Sequence, residues 1–280
     1  MNLDVQLNKF WSRHQMVRTI LTCCALLMII IPATADDKSG ERGDQTKKNR
    51  RRKIDVVAHW KFQNATVGSS AKSEQLIEDS SGNSRHGRAI GGPKFEAAEL
   101  STTSTALVFD GRDDRIAVPD DSRFYLTESF TIEAWINIRY YAGSRQNHSF
   151  IVFRGDVREG FDPWYICLEE SGQLAFMVTD LLNNNSVVMS PAPLPIKRFV
   201  HVAAVMNHET GMQSVFVDGE RVASVRTKIR SGGALGGVGP GIGIGGRQDH
   251  SHQGYSGSIA EIRISANALT PSQFLNNIQE

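Results

Sequence analysis

Phe130-Thr131-Ile132-Glu133-Ala134-Trp135-Ile136-Asn137-Ile138 is the stretch whose reading decides the fold. Phe130, Ile132, Ala134, Ile136 and Ile138 share one face of an extended chain, while Thr131, Glu133, Trp135 and Asn137 share the other. Unbroken alternation with β-branched and aromatic residues predicts a central strand with one face on a core. The second face, carrying a Trp and a Glu, is either plain sheet exterior or the floor of a binding surface.

Outward from this stretch the same period recurs. Strands are predicted at 56–61, 106–109, 115–118, 149–154, 164–168, 174–178, 186–189, 199–206, 213–217, 221–225, 241–244 and 258–264. Turn signals separate them: Asp110-Gly111, Ser171-Gly172, Asn183-Asn184-Asn185, Glu209-Thr210-Gly211 and Asp218-Gly219. Such a cadence predicts an all-β sandwich or barrel. Phe199 to Met206 is apolar on both faces and is expected in mid-sheet, covered from both sides, with His201 as a core histidine. Thr270-Pro271-Ser272-Gln273 has the form of a capping box with proline at the first helical position. It predicts a short C-terminal helix that docks through Phe274, Leu275 and Ile278. The Gly-rich run from Ser231 to Gly246 has no following helix and no surrounding βαβ unit, so it is read as a loop entering a strand, not a phosphate loop.

The N-terminus stands apart from this pattern. Lys9, Arg13 and Arg18 precede an apolar run from Ile20 to Ile31 and then Pro32-Ala33-Thr34-Ala35. A basic segment, a short apolar segment and an Ala-x-Ala end predict a secretory signal peptide over 1–35, cleaved after Ala35. The run is shorter than the roughly 20 apolar residues a membrane-spanning helix needs. An uncleaved anchor is the competing reading, because the basic segment is long. Residues 36–53 include the run Lys47-Lys48-Asn49-Arg50-Arg51-Arg52-Lys53 and are read as a disordered charged linker. Of the formal charge of +1, the first 35 residues carry +2 and residues 36–53 carry +4, which leaves −5 for 54–280. A mildly acidic domain argues against nucleic acid as a partner. Cys23 and Cys24 leave with the signal peptide. Cys167 then stands alone, without a disulfide, and is read as a buried, inert thiol with no paired histidine.

Several phrases together resemble the laminin-G-like jelly-roll domain of the concanavalin A-like lectin/glucanase superfamily. They are Glu78 to Gly87, Ala106-Leu107-Val108-Phe109-Asp110-Gly111 with Asp113 to Ile116, the Phe130–Ile138 strand, Phe199-Val200-His201-Val202-Ala203, Phe216-Val217-Asp218-Gly219, and Ser256 to Ile264 followed by Ala268-Leu269-Thr270. The phrases fall in the family's order and cover about 55 to 275. The resemblance implies a two-sheet antiparallel jelly-roll sandwich over 54–280 with one concave surface. One departure matters: where the family commonly has an Asp just before the closing-strand Glu, this chain has Ala260.

Three chemistries are weighed. Asp79 and Asn83 offer hard oxygen ligands of the type Ca²⁺ takes, and the resemblance implies that this loop meets the closing strand near Glu261 to hold a structural ion. The competing reading is an Asx-turn held by Asp79 and Asn83, and Ala260 weakens the ion site. His250 and His252 beside Asp249 are read as plain loop residues rather than a transition-metal site. Carbohydrate needs aromatic faces with planar polar groups, and the available set is Trp135, Trp164 and Tyr255 with Glu133, Arg154, Arg247 and Asp249. The competing reading buries the aromatics under loops. Catalysis on a glycan needs two carboxylates flanking the scissile bond. Glu133 is alone on its strand, while Glu169 and Glu170 are consecutive and point oppositely. The expectation is therefore a non-enzyme: a secreted recognition module, extracellular or periplasmic and without stable membrane insertion, whose partner is a glycan. A protein-adhesion or assembly module is the alternative, with a glycosidase or polysaccharide lyase behind it.

Overall fold

A computed structural model describes residues 53–277, apart from 64, 99, 101–104, 142–147, 157, 159–161, 233–238 and 250–252. The expected signal peptide, nearly all of the linker, and His250 and His252 lie outside the described residues.

Among the described residues sixteen strands follow one another: β1 (Val56–Lys61), β2 (Leu76–Ile77), β3 (Gly87–Ile90), β4 (Lys94–Ala97), β5 (Thr105–Asp110), β6 (Arg115–Val118), β7 (Phe130–Ile138), β8 (His148–Arg154), β9 (Trp164–Glu169), β10 (Gln173–Thr179), β11 (Asn185–Pro193), β12 (Phe199–Asn207), β13 (Met212–Val217), β14 (Glu220–Arg226), β15 (Ile242–Ile244) and β16 (Ser256–Ser265). One eight-stranded sheet has the order β14-β13-β12-β7-β16-β5-β4, with β1 also paired to β16. The other has the order β11-β10-β9-β8-β15-β6-β3-β2. All strand-to-strand pairings are antiparallel. β7 lies between β12 and β16 near the middle of the first sheet, as its alternation predicts.

The core follows from that alternation. Phe130, Ile132, Ala134, Ile136 and Ile138 are all fully buried. They pack with Trp164, Ile166, Leu168, Phe176, Val200 and Val202 into one continuous cluster between the sheets. β12 is covered on both sides as expected. Ala203 and Val205, on its second face, pack under Leu269 and Phe274.

The C-terminal segment differs from the predicted helix. It forms two 3-10 turns, Pro271–Gln273 and Leu275–Asn277. The capping box of Thr270 and Gln273 is present, with the Thr270 amide donating to the Gln273 side chain at 3.0 Å. Phe274 between the turns is extended, with φ −71° and ψ 158°. That break sends its ring into the outer face of the first sheet, 5.1 Å from Phe216. Burying a whole phenylalanine stabilises by about 2–3 kcal/mol, more than one further turn of helix contributes.

Candidate binding face

The outer face of β7 is where the sequence analysis left two readings, and it divides. Glu133 is fully buried and belongs to a closed polar knot. Its Oε1 accepts from Arg263 Nε at 2.7 Å and Nη2 at 2.5 Å. Its Oε2 lies 2.9 Å from His201 Nε2 and accepts from the Leu275 amide at 2.8 Å. These partners come from β12, β16 and the C-terminal segment. Register brings them together, since Glu133 pairs with Ala203 on one side and Arg263 on the other. Glu133 is thus the anchor of the C-terminal segment and offers no oxygen to a ligand.

Other predicted ligand residues are also structural. Trp164 is fully buried, its indole N–H donating to the Phe124 carbonyl at 3.4 Å. Tyr255 is fully buried in the main core, where burial pushes its phenol well up. Arg154 is fully buried and donates to Asp120 at 2.7 Å, with its guanidinium 4.8 Å from the Tyr125 ring. Each of the three puts its bulk into the core face of a strand or under a loop, so none presents a surface. Arg247 and Asp249 pair with each other at 2.8 Å, and the Arg247 guanidinium lies 4.8 Å over the buried Phe153 ring. This pair stays partly open, on the outer face of the second sheet.

The proposed calcium ligands do not suit a cation. Both carboxylate oxygens of Asp79 are taken by donors: the amides of His59, Ser81 and Arg85 and the Ser81 hydroxyl, at 2.8–3.0 Å. Burial alone would raise the Asp79 carboxyl, but these hydrogen bonds outweigh it and hold it below its ordinary value. Asn83 turns its NH₂, not its oxygen, to the Val56 and Val57 carbonyls at 2.9 and 3.1 Å. Glu261 is occupied by His59 at 2.6 Å and Lys61 at 3.8 Å. The loop is an Asx-type turn pinned to β1, and N–H groups stand where a cation would.

What stays accessible on the first sheet is Trp135. It is partly exposed, and its indole N–H has no hydrogen-bond partner among the described residues. Trp135, Phe199 and Leu100 pack around a floor of Ala98, Ala106 and Ala260. Ala260, the departure from the family pattern, sits at a bulge in β16 between the pairs Ile259–Ile136 and Glu261–Trp135. Glu261 is therefore the direct cross-strand neighbour of Trp135 and brings His59 and Lys61 to that edge. On the other edge Ser258 donates to Glu96, which pairs with Arg139 at 3.3 Å. The buried Oδ1 of Asn137, on the same face, has no partner among the described residues. Two aromatic side chains over small residues, rimmed by charged and planar groups, make a shallow amphipathic platform.

Residues that sequence reasoning missed lie elsewhere. A cleft of about 580 Å³ sits at one end of the sandwich against Glu128, Asn207, His208, Arg230, Asn267 and Gln273. It is polar and lacks aromatic faces. Asp110, Asp113 and Asp114 bring carboxylates together at the β5–β6 hairpin. There burial and the neighbouring Asp110 push the Asp114 carboxyl up. Cys167 is buried as predicted but has a histidine after all: His148 and Glu169 converge on it from the outer face of β8 and β9. The signal lay in the parity of Tyr165, Cys167 and Glu169, which puts the thiol on the side of the charged residue.

Two antiparallel sheets packed face to face define a jelly-roll sandwich. The chain belongs to the Concanavalin A-like lectin/glucanases superfamily, whose family model matches residues 110–274, more than half of its length. Among solved structures it resembles the binding domain of botulinum neurotoxin DC in complex with rat synaptotagmin II, with a TM-score of 0.56 at 15% identity, covering 80% of this chain and 50% of that one. The same toxin's binding domain in complex with SialylT matches with a TM-score of 0.51 at 15% identity, covering 74% and 49%. A structure described under the dependence of botulinum neurotoxin type C cell entry on two ganglioside molecules matches at 0.54 and 14%, covering 78% and 49%. The chain thus spans about half the length of the structures it matches, and at this identity the likeness is one of fold. A search of curated proteins finds no match. No helix among the described residues is long and apolar enough to cross a membrane.

Proposed function

We propose that this chain is an exported, non-catalytic recognition module that takes carbohydrate on the Trp135 face. The observation that carries the reading is Trp135 itself, a partly exposed ring between Phe199 and Glu261 whose indole N–H has no partner among the described residues. A sugar needs an aromatic face for its C–H side and planar hydrogen-bonding groups for its hydroxyls. The platform offers both. The fold's neighbours include a binding domain in complex with SialylT and a structure described under cell entry of botulinum neurotoxin type C through two ganglioside molecules, which supports carbohydrate as the ligand class. A catalytic role is disfavoured because Glu133 is locked by Arg263 and His201 and cannot act as acid or nucleophile. Calcium at Asp79 is not part of the proposal.

The test is a glycan array probed with the wild-type chain and with Trp135→Ala, alongside thermal melting. Binding that falls by more than about tenfold in a variant that still melts cooperatively supports the site. Glycan binding unchanged in Trp135→Ala sinks it. Asp79→Asn should lower the melting temperature equally with Ca²⁺ and with EDTA, and a calcium-dependent difference would restore the ion site.

A protein partner is the second reading, and one observation favours it. Val187 and Met189 on edge strand β11 are 43% and 46% exposed, and Leu182 at the β10–β11 turn is 83% exposed. Asp180 accepts from the Leu182 and Asn184 amides, so this apolar tip is held in shape. Loss of a pulled-down partner in Leu182→Asp, with Trp135→Ala silent, would favour this reading.

A further inference from the structure

On the outer face of the second sheet, three side chains of different chemistry point at one spot. His148 opens β8 and pairs across the ladder with Glu169, and Cys167 lies two residues before Glu169 on the same side of β9. Cys167 is fully buried and belongs to a small cluster with Phe150, Phe153 and Ala175, apart from the main core. His148 Nδ1 lies 3.3 Å from Glu169 Oε1 and 3.9 Å from Cys167 Sγ, and Cys167 Sγ lies 3.7 Å from the same Oε1. The three atoms form a closed triangle.

We propose that this triangle is a binding site for a divalent transition metal, Zn²⁺ or Co²⁺, held by His148 Nδ1, Cys167 Sγ and Glu169 Oε1. Ligand bonds of about 2.0–2.3 Å in a tetrahedron put neighbouring N and O atoms about 3.4 Å apart, and S about 3.6 Å from either. The triangle has these edges to within a few tenths of an ångström. Thiolate with imidazole selects a borderline ion and disfavours Ca²⁺ or Mg²⁺. Strand backbone fixes all three Cβ positions, so little ordering remains to be done on binding. The charges also balance, since one thiolate and one carboxylate neutralise a dication. His148 and Glu169 remain 29% and 25% exposed, which leaves the fourth position toward solvent.

The same geometry argues against a nucleophile. Burial and the nearby Glu169 carboxylate push the Cys167 thiol well up, so the metal-free thiol keeps its proton. Binding must then release that proton: the S–H bond breaks, the S–metal bond forms, and one H⁺ leaves per ion. The site is independent of the carbohydrate reading.

The test is a Co²⁺ titration of the full chain carrying Cys23→Ala and Cys24→Ala, so that Cys167 is the sole thiol. The expected result is one ion per chain with a thiolate-to-cobalt charge-transfer absorption, displaced by Zn²⁺. Cys167→Ser should abolish the absorption. Glu169→Gln and His148→Ala, at partly exposed positions, should weaken it by more than about 100-fold in chains that still melt cooperatively, beyond the effect of losing an outer partner. Cobalt bound without that absorption, no binding by a cooperatively melting chain, or equal affinity in Glu169→Gln and His148→Ala would each overturn the assignment.

Discussion

Asp162 lies just before β9, within reach of Arg247, and its Oδ1 is buried with no partner among the described residues. Burial pushes its carboxyl up to about 6, against the pull of Arg247. A raised carboxyl favours the protonated form in the folded chain. Its contribution is complete below the ordinary value of 3.8 and is lost as pH rises through about 6. Asp162→Asn mimics the protonated form, so its melting temperature should match wild type near pH 4 and exceed it increasingly up to pH 7. A gap that is constant with pH would mean that Arg247 already compensates the charge. Glu133, in contrast to the unpartnered Asp162 Oδ1, is fully buried with both oxygens hydrogen-bonded. Glu133→Gln leaves Arg263 buried without its counter-charge, and removing one partner of such a pair costs about 3–5 kcal/mol. Denaturant titration should show this as a lower midpoint with an unchanged slope. A loss near zero would mean that Arg263 swings out to water.

At the scale of the element, the C-terminal segment is a clasp across the first sheet. Leu269 donates its amide to Thr131 at 2.9 Å and Leu275 to Glu133 at 2.8 Å, while Phe274 fills the gap between. Phe274→Ala removes about 3 kcal/mol or more of packing, so exchange of the Leu269 and Leu275 amides should accelerate by about 100-fold. Ile132 in β7 should keep its protection. Equal loosening of all three would make clasp and sheet a single cooperative unit. This element also marks the limit of what was legible. Strand patterns are local, so alternation found β7 and most of its partners. β2, β3 and β4 escaped because they run only two to four residues and carry Gly87, Arg88 and Lys94 among few apolar positions. The clasp's contacts span 136–142 residues of sequence, and no periodicity encodes that distance. Glu133 therefore looked available, and Trp164 looked like Trp135. Parity separates the two tryptophans once neighbours are counted, because Trp164 shares its side with Ile166 and Leu168, whereas Trp135 shares its side with Asn137 and Thr131.

At the scale of the whole molecule, one core separates two outer faces that carry different chemistry. The first sheet presents Trp135 and Phe199 over an alanine floor, and the second presents His148, Cys167 and Glu169 beside Phe150 and Tyr165. Both faces rest on the same buried cluster, to which Ile136 from β7 and Ile166 from β9 both belong. A close-packed core can pass strain from one sheet to the other, but only where a substitution changes volume inside it. Trp135→Ala and His148→Ala remove atoms from the outer sides of their sheets, with a full layer of core between them. Sites without shared partners add within about 0.5 kcal/mol, so the double variant should lose the sum of the two single losses in denaturant titration. Trp135→Ala should likewise leave the cobalt titration unchanged, and His148→Ala should leave glycan binding unchanged. A coupling well above that margin would mean that the sandwich passes a signal through its core, making ligand on one face a regulator of the other.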